Sequence, residues 1–200
     1  GILLGGLPAA ERGRVVVIGA GVAGGNAARV AAGLGAEVIV FDRNRTKLMQ
    51  MRDLGHNVTA LFAYEDAIKD AVLGADLVIG AVLITGERAP HVVSADTVRK
   101  MEPGSVVVDI SVDQGGCIET TRPTTYDNPV YVWEGVTHFC VTNMPGAVPK
   151  TSTQAICAAI LPYVQALAQP DWRQNAALTA GVNVDSGKIV HPGLKRSLVK

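Results

Sequence analysis

Residues 14–42 read RVVVIGAGVAGGNAARVAAGLGAEVIVFD, and this stretch decides the fold. It opens with the apolar, β-branched run 15–18, which is typical of a short strand buried on both faces. A glycine-rich turn and an Ala-rich segment follow, and the segment predicts a helix over residues 22–34. A second strand over residues 37–41 ends at Asp42. The stretch therefore predicts a strand, a helix and a parallel strand as one unit.

The glycines of the turn form the pattern G-x-G-x-x-G and indicate a dinucleotide site. Gly19 permits the tight turn, Gly21 lets the backbone approach a pyrophosphate, and Gly24 lets the helix pack closely on the strand. The pyrophosphate would lie at the helix N-terminus, where unpaired N–H groups and the helix dipole attract anions. Asp42 is placed to accept hydrogen bonds from ribose hydroxyls and to repel a 2′-phosphate, so we expect NAD rather than NADP.

Two alternatives stay open for this motif from the residues alone. The same glycines occur in turns of other α/β proteins, including proteins that bind a different adenosine-containing cofactor. Arg43 beside the acid is able to face a 2′-phosphate, although we expect Asp42 to dominate.

Lys47 lies about one helical turn past Asp42 and either reaches the ribose or is a solvated helix lysine.

Strand and helix patterns continue to alternate after residue 42, which is typical of a parallel sheet covered by helices on both faces. Asn44 is suited to cap the first of these helices. The predicted strands cover 57–61, 76–82 and 105–110, and the predicted helices cover 45–54, 64–73 and 94–101. The fold class is therefore α/β, a Rossmann-type doubly wound parallel sheet flanked by helices.

The chain after residue 129 predicts a mainly helical C-terminal segment. A hairpin or two short strands come first, at 130–133 and 137–141. A long apolar pattern from Thr151 to Ala168 predicts a helix capped near Thr151 or Ser152, which Pro162 must bend or divide. A short helix and a hairpin around residues 185–187 complete the pattern.

Composition excludes several classes of protein. Lys plus Arg equals Asp plus Glu at 18 each, so no net charge points to nucleic acid or to a membrane surface. No apolar stretch reaches the roughly 18 residues that a bilayer span requires, and no signal peptide is visible. Three cysteines without C-x-x-C spacing favour a reducing, cytoplasmic setting. The four histidines are scattered, so we expect no metal site.

Candidate chemical groups follow the strands, because the carboxyl ends of parallel strands share one edge of the sheet. Asp113 follows the strand that ends at Ile110 and is placed to exchange protons with a substrate or a water molecule. Asp-Gln-Gly-Gly is equally consistent with turn chemistry. Asp109, inside that strand, is expected to be a structural hydrogen-bonding group. Val82, Leu83 and Ile84 follow the preceding strand and form an apolar ledge suited to an adenine or nicotinamide ring.

Three further residues have both a functional and a structural interpretation. Asn143 is able to orient the nicotinamide carboxamide while Met144 packs on its ring, but a turn-forming Asn and a core Met fit as well. Arg122 is suited to pair with a phosphate or a carboxylate, or is an exposed structural arginine.

Four runs together resemble the bacterial alanine dehydrogenases: IGAGVAGGNAA, DLVIGAVL, VVVDISVDQGGCIETTRPTTYDNP and FCVTNMPGAVPKTST. The resemblance covers nearly the whole chain and implies reversible oxidative deamination of L-alanine by NAD to pyruvate, ammonia and NADH. It also implies a homo-oligomer, a hexamer in the family, and Asp113 as the catalytic aspartate. Asp42 resembles the family's ribose-binding acid. The other positions at which it implies cofactor contacts are Val22, Lys47, Val82, Leu83, Ile110, Arg122, Val141, Asn143 and Met144.

The same resemblance implies how the chain is organised. Residues 1–13 are expected to link to an N-terminal substrate domain that this sequence lacks, 14–148 to form the NAD-binding domain, and 149–200 to pack on the absent domain. The family draws an Arg, a Lys and a catalytic His from that absent half, so we expect the chain alone to bind NAD(H) without turning over alanine. The alternatives are the NAD(H)-binding part of a proton-translocating transhydrogenase, which DQGGC and RPTTY disfavour, and a nucleotide-sensing module without catalysis.

Overall fold

The computed structural model describes residues 1–84 and 89–198 of the chain. These residues form two compact units, one made of 1–84 with 89–142 and the other of 143–198. The predicted domain boundaries at 13/14 and 148/149 stay a prediction.

The first unit is built on a seven-stranded sheet. Its strands are β1 Arg14–Ile18, β2 Glu37–Asp42, β3 Val58–Phe62, β4 Leu77–Gly80, β5 Val106–Asp109, β6 Val130–Trp133 and β7 Val136–Phe139. Their order in the sheet is β3-β2-β1-β4-β5-β7-β6. Neighbouring strands are parallel except at the edge, where β6 runs antiparallel to β7. The helices are α1 Val22–Gly33, α2 Arg45–Arg52, α3 Glu65–Leu73 and α4 Ala95–Arg99. The predicted doubly wound sheet is confirmed.

The central strand β1 is buried on both faces, as its uninterrupted apolar run predicts. Val16 and Ile18 belong to one core cluster, which includes Val72 of α3. Val15 and Val17 belong to a second cluster, which includes small residues of α1. Each fully buried side chain of this size contributes about 1.5–3 kcal/mol relative to exposure.

The end of strand β4 differs from the prediction, and its pairing with the neighbouring strands explains the difference. Strand β4 ends at Gly80 rather than at Val82, because Gly80 pairs with Ile18 and Asp109, the last residues of its two neighbours. Val82 therefore lies in the loop beyond the sheet. Helix caps agree better with the sequence, since Asn44 Oδ1 accepts from the Lys47 amide at 3.2 Å as predicted.

The second unit contains helices α5 Pro149–Leu167, α6 Ala176–Ala180 and α7 Pro192–Leu198, and a hairpin of β8 Val184–Asp185 and β9 Lys188–Ile189. The predicted hairpin is confirmed, with Ser186 and Gly187 both at positive φ in its turn. The predicted start of α5 was wrong: the helix begins at Pro149, and proline suits the first helical position. The helix also runs through Pro162 without division, and none of its residues is buried.

Residues near the N-terminus fold back onto the first unit. The Gly13 amide donates to the Leu4 carbonyl at 3.0 Å, and Leu4 packs against the core cluster that contains Val15. Whether these residues also link to a further domain stays a prediction. Among the described residues, none of the helices combines the length and apolar character that crossing a membrane requires.

Candidate functional site

The carboxyl ends of the parallel strands bring the predicted site residues of the first unit to one edge of the sheet. The turn after β1 lies against the loop after β4, because a Cβ built on Gly19 would lie 2.5 Å from the Ala81 carbonyl oxygen. Gly19 has a φ of 102°, which favours glycine. A Cβ on Gly24 would clash with the Gly19 carbonyl oxygen, so the predicted close packing of helix on strand is present.

Gly21 differs from these two glycines because the position that a Cβ would take there lies in open space. A Cβ built there meets no atom within 4 Å. Gly21 occupies the N-cap position of α1 without a side-chain cap, and the first turn of the helix carries no acidic residue. Val22 beside it is 88% exposed. Backbone N–H groups at this helix end therefore meet a space in which an anion is able to sit.

Asp42 joins the end of β2 to the glycine turn. Its Oδ2 accepts from the Ala20 amide at 2.7 Å, and its Oδ1 accepts from the Asn44 amide at 2.7 Å. The Lys47 ammonium lies 4.0 Å from Oδ2. The Asp42 side chain keeps 14% of its surface exposed, and each carboxylate oxygen is able to accept more than one hydrogen bond. The carboxylate is thus fixed beside the turn and remains partly accessible to a hydrogen-bond donor.

The structure adds two aromatic residues that the sequence interpretation missed. Phe62 pairs with Asp42 in the register of β2 and β3, and the Ala63 amide donates to the Asp42 carbonyl at 3.2 Å. The rings of Phe62 and Tyr64 lie 4.8 Å apart and are both exposed. Two exposed aromatic rings therefore lie next to Asp42, and such rings suit packing on another planar group. Their position at the end of the third predicted strand was the available signal.

The loop after β4 has the expected apolar character. Val82 is half-buried and packs against the core cluster that contains Val16. Leu83 and Ile84 are exposed, so the loop presents apolar surface at the same edge as the glycine turn. Ile110 continues the pairing beyond β5, with its amide donating to the Gly80 carbonyl at 2.8 Å.

Asp109 organises the loop that carries Asp113. It is fully buried, and its two oxygens accept from the amides of Ser111, Cys117 and Ile118 at 2.9, 2.9 and 3.2 Å. The Thr121 hydroxyl donates to Oδ2 at 2.8 Å. The structural role predicted for Asp109 is confirmed. Its hydrogen bonds fix both ends of the loop on which Asp113 is exposed, in the short 3₁₀ helix Val112–Gln114.

Two buried thiols lie near this carboxylate. Burial, with the negative charge of Asp109 as a second cause, raises the pKa of the Cys117 thiol to about 12. Burial also raises the pKa of the Cys140 thiol. Both sulfurs therefore stay protonated at neutral pH and act as packing groups rather than as nucleophiles.

The remaining predicted contacts have different surroundings. The Arg122 guanidinium carbon lies 4.1 Å from the centroid of the Tyr131 ring. Val141 is buried, and a bridge pairs its backbone with Thr124. Asn143, at a left-handed φ of 51°, belongs to the second unit with Met144, and the contacts predicted for both with the cofactor stay predictions. In the described part of the chain, no group of three or more His, Cys, Asp or Glu is arranged to hold a metal.

Comparisons with known proteins agree on one family. A family model described as "Alanine dehydrogenase/PNT, C-terminal domain" matches residues 1–192. The alanine dehydrogenase of Halomonas elongata is 49% identical over an alignment of 196 positions that covers 96% of this chain and 53% of that protein. The alanine dehydrogenase of Bacillus subtilis is 46% identical over an alignment of 204 positions that covers 99% of this chain and 54% of that protein. The chain thus spans about half the length of the curated relatives it matches.

Solved structures give the same result. A structure of an L-alanine dehydrogenase superposes with a TM-score of 0.85 at 47% identity, covering 98% of this chain and 55% of that one. A transhydrogenase from Sinorhizobium meliloti superposes with a TM-score of 0.75 at 27% identity, covering 95% of this chain and 54% of that one.

Proposed function

Because the chain belongs to the alanine dehydrogenase/PNT C-terminal domain family, we propose that it is the NAD-binding part of an alanine dehydrogenase. The full-length protein would convert L-alanine, NAD and water to pyruvate, ammonia and NADH. The observation that carries the proposal is the glycine turn, whose open side at Gly21 lies next to a fixed Asp42 carboxylate. Identities of 46–49% to alanine dehydrogenases over nearly the whole chain support the choice of substrate.

The residues present fit a dinucleotide. The N–H groups at the start of α1 would hold the pyrophosphate, and the Asp42 carboxylate would accept from the adenosine ribose. Lys47 would lie beside that ribose, and the exposed rings of Phe62 and Tyr64 would flank the adenine. The loop residues Leu83 and Ile110 would contribute apolar contacts.

The chemistry divides between the cofactor and the chain. NAD, when bound, accepts the hydride that leaves the α-carbon of alanine. Asp113 would act as a general base and acid, taking a proton from the substrate amine or from the water that replaces it, and returning that proton to the departing ammonia. The hydrogen bonds of Asp109 would hold the Asp113 loop in place during these transfers.

A second proposal concerns what the chain does by itself. Its relatives are about twice as long, and turnover needs groups on both sides of the reacting carbon in register. We therefore expect the pure 200-residue chain to bind NADH without producing it from NAD and alanine. An absorbance assay for NADH tests this, with the full-length protein as the active control. Steady NADH production by the chain alone would contradict the proposal.

The transhydrogenase alternative keeps some support from the 27% identical structure. Two assays on the full-length protein separate the two functions. An alanine dehydrogenase produces NADH from alanine and NAD, whereas a transhydrogenase passes hydride from one nicotinamide nucleotide to another without alanine. A protein that does neither and still binds NADH would be the sensing module.

Assembly and location are part of the proposal as well. The exposed apolar residues of α5, among them Ile156, Leu161 and Val164, would pack on the substrate domain of the full-length protein. We expect that protein to be a cytoplasmic homo-oligomer. Sedimentation of the full-length protein tests the oligomeric state.

The variant Asp42→Asn is expected to change which dinucleotide the chain binds. Removing the charge leaves the Lys47 ammonium and Arg43 unopposed by that carboxylate, so a 2′-phosphate is no longer repelled. We expect NADH affinity to fall about tenfold and NADPH affinity to rise, as the loss of a charge-assisted hydrogen bond suggests. Calorimetric titration with both nucleotides measures the change.

The matched control is Glu37→Gln, which removes a carboxylate from the opposite end of the same strand. This variant should keep the nucleotide preference of the wild-type chain. An unchanged preference in Asp42→Asn would contradict the ribose-binding role of Asp42.

A further inference from the structure

Tyr131 of β6 contacts the loop residue Arg122 in two ways. The Arg122 amide donates to the Tyr131 hydroxyl oxygen at 3.0 Å, and that hydroxyl donates to the Thr120 carbonyl at 2.9 Å. The Arg122 guanidinium carbon also lies 4.1 Å from the centroid of the Tyr131 ring, within the range of a cation–π contact. One side chain thus fixes both the backbone of Arg122 and the position of its charged group.

His138 of β7 supports the Tyr131 ring by stacking on it. The imidazole and phenol rings are stacked, with centroids 4.9 Å apart and planes at 19°. The phenol ring of Tyr131 therefore contacts both the His138 imidazole and the Arg122 guanidinium. The fully buried His138 is itself fixed, with Nδ1 donating to the Val136 carbonyl at 3.0 Å.

The His138 imidazole that supports the Tyr131 ring is uncharged, so it does not repel the Arg122 guanidinium. His138 Nε2 lies 2.8 Å from the Thr120 hydroxyl, which donates to it when Nδ1 carries the proton. Burial lowers the pKa of His138, so the neutral form prevails at neutral pH. The stack therefore places no second positive charge behind Arg122.

Arg122 keeps its charge available for a ligand. No ion pair among the described residues involves it, whereas Arg14, Arg99 and Arg173 each pair with carboxylates. A guanidinium held over an aromatic ring by a cation–π contact still carries N–H donors, which suit a planar or tetrahedral anion. The residue is exposed and follows the loop that carries Asp113.

We propose that Tyr131, backed by His138, is a positioning residue that holds Arg122 ready to bind an anionic group at the site. The inference rests on the proposed function, because the anion is either the cofactor pyrophosphate or the carboxylate of the amino-acid substrate. Both present oxygen pairs to a guanidinium. The contacts of Tyr131 lower the conformational freedom that Arg122 would otherwise lose on binding.

A double-mutant cycle tests the coupling between the two residues. Tyr131→Leu, Arg122→Ala and the double variant are titrated with NADH in the 200-residue chain, and with pyruvate plus NADH in the full-length protein. We expect Tyr131→Leu to lower the affinity for one of these ligands about fivefold to tenfold when Arg122 is present. When Arg122 is replaced by alanine, the same change should lower that affinity less than about twofold. A lower affinity for NADH would identify the cofactor pyrophosphate as the anion that Arg122 binds. A lower affinity for pyruvate with unchanged NADH affinity would identify the substrate carboxylate.

Two variants separate positioning from general stability. Tyr131→Phe keeps the ring and should recover most of the affinity. Trp133→Leu removes another aromatic of the same strand, whose ring lies 5.4 Å from the Arg99 guanidinium carbon. It meets His138 only edge-on, with ring centroids 6.5 Å apart, so the variant should leave both affinities unchanged. Equal losses from Tyr131→Leu with and without Arg122, or no loss of either ligand, would overturn the proposal.

A ligand-free measurement keeps this inference separate from the proposed function. The ring current of Tyr131 should shift the Arg122 side-chain NMR resonances upfield in the wild-type chain and in Tyr131→Phe, and not in Tyr131→Leu. A wild-type chain that shows the shift but binds no NADH would contradict the proposed function while leaving the stack intact. Absence of the shift from the wild-type chain would overturn the positioning role.

Discussion

The variant Asp113→Asn is expected to reduce alanine turnover in the full-length protein by about 10²–10⁴-fold, with little change in NADH affinity. An amide cannot take up or release the proton that the reaction moves, but it nearly matches the carboxyl group in shape. Asp109 fixes the loop through bonds that do not involve the Asp113 carboxylate, so the fold should remain intact. Steady-state rates, with calorimetric titration of NADH, measure both effects.

Asp127→Asn is the matched control for this prediction. Asp127 is an exposed carboxylate on the same connection between β5 and β6, and no role in proton transfer is proposed for it. Its variant should retain full turnover. Normal turnover in Asp113→Asn would remove Asp113 from the mechanism, and an equal loss of turnover and NADH affinity would assign it to binding instead.

The variant Gly21→Ala is expected to keep its stability and to lose NADH affinity by about 10–100-fold. The backbone of Gly21 has a φ of −73°, which alanine adopts, and a Cβ there meets no atom of the chain within 4 Å. That methyl group would instead occupy the space into which we place the pyrophosphate, and overpacking of this kind costs about 1–3 kcal/mol. Thermal unfolding and NADH titration measure the two effects separately.

Gly33→Ala provides the matched control within the same helix. A Cβ on Gly33 also meets no atom within 4 Å, but Gly33 is the last residue of α1, at the opposite end from the glycine turn. This variant should keep NADH affinity. If Gly21→Ala bound NADH as tightly as Gly33→Ala does, the pyrophosphate would not lie at the start of α1.

The sequence was informative where local rules decide the structure. The glycine turn was predictable because each position has its own steric requirement, and the structure places a backbone atom where a Cβ of Gly19 or Gly24 would lie. The cap at Asn44 and the hairpin turn at Ser186 and Gly187 follow from side-chain and backbone preferences of a few neighbouring residues.

Contacts that depend on strand pairing were not predictable in the same way. Tyr131 reaches Arg122 because β6 turns back antiparallel on β7, which also brings His138 beneath the ring. No spacing rule in the sequence relates these three residues. The position of Phe62 beside Asp42 was missed because it depends on the register of β2 and β3, and the two residues are far apart along the chain.

The course of α5 shows a further limit of local rules. Proline removes one amide donor and crowds the carbonyl of the residue four positions earlier, which favours a break at Pro162. The helix continues nevertheless, and the residue concerned, Ala158, is exposed, so water is able to bond its freed carbonyl. The exposure of the surrounding turns, which local sequence does not specify, permits this outcome.

The central claim is that this chain binds NAD through the turn after β1 and the Asp42 carboxylate. The most direct test is calorimetric titration of the 200-residue chain with NADH and, in parallel, with NADPH. The account predicts saturable binding of NADH at one site per chain and at least tenfold weaker binding of NADPH, because Asp42 repels the 2′-phosphate. Tighter binding of NADPH, or no binding of either nucleotide by the folded chain, would contradict it.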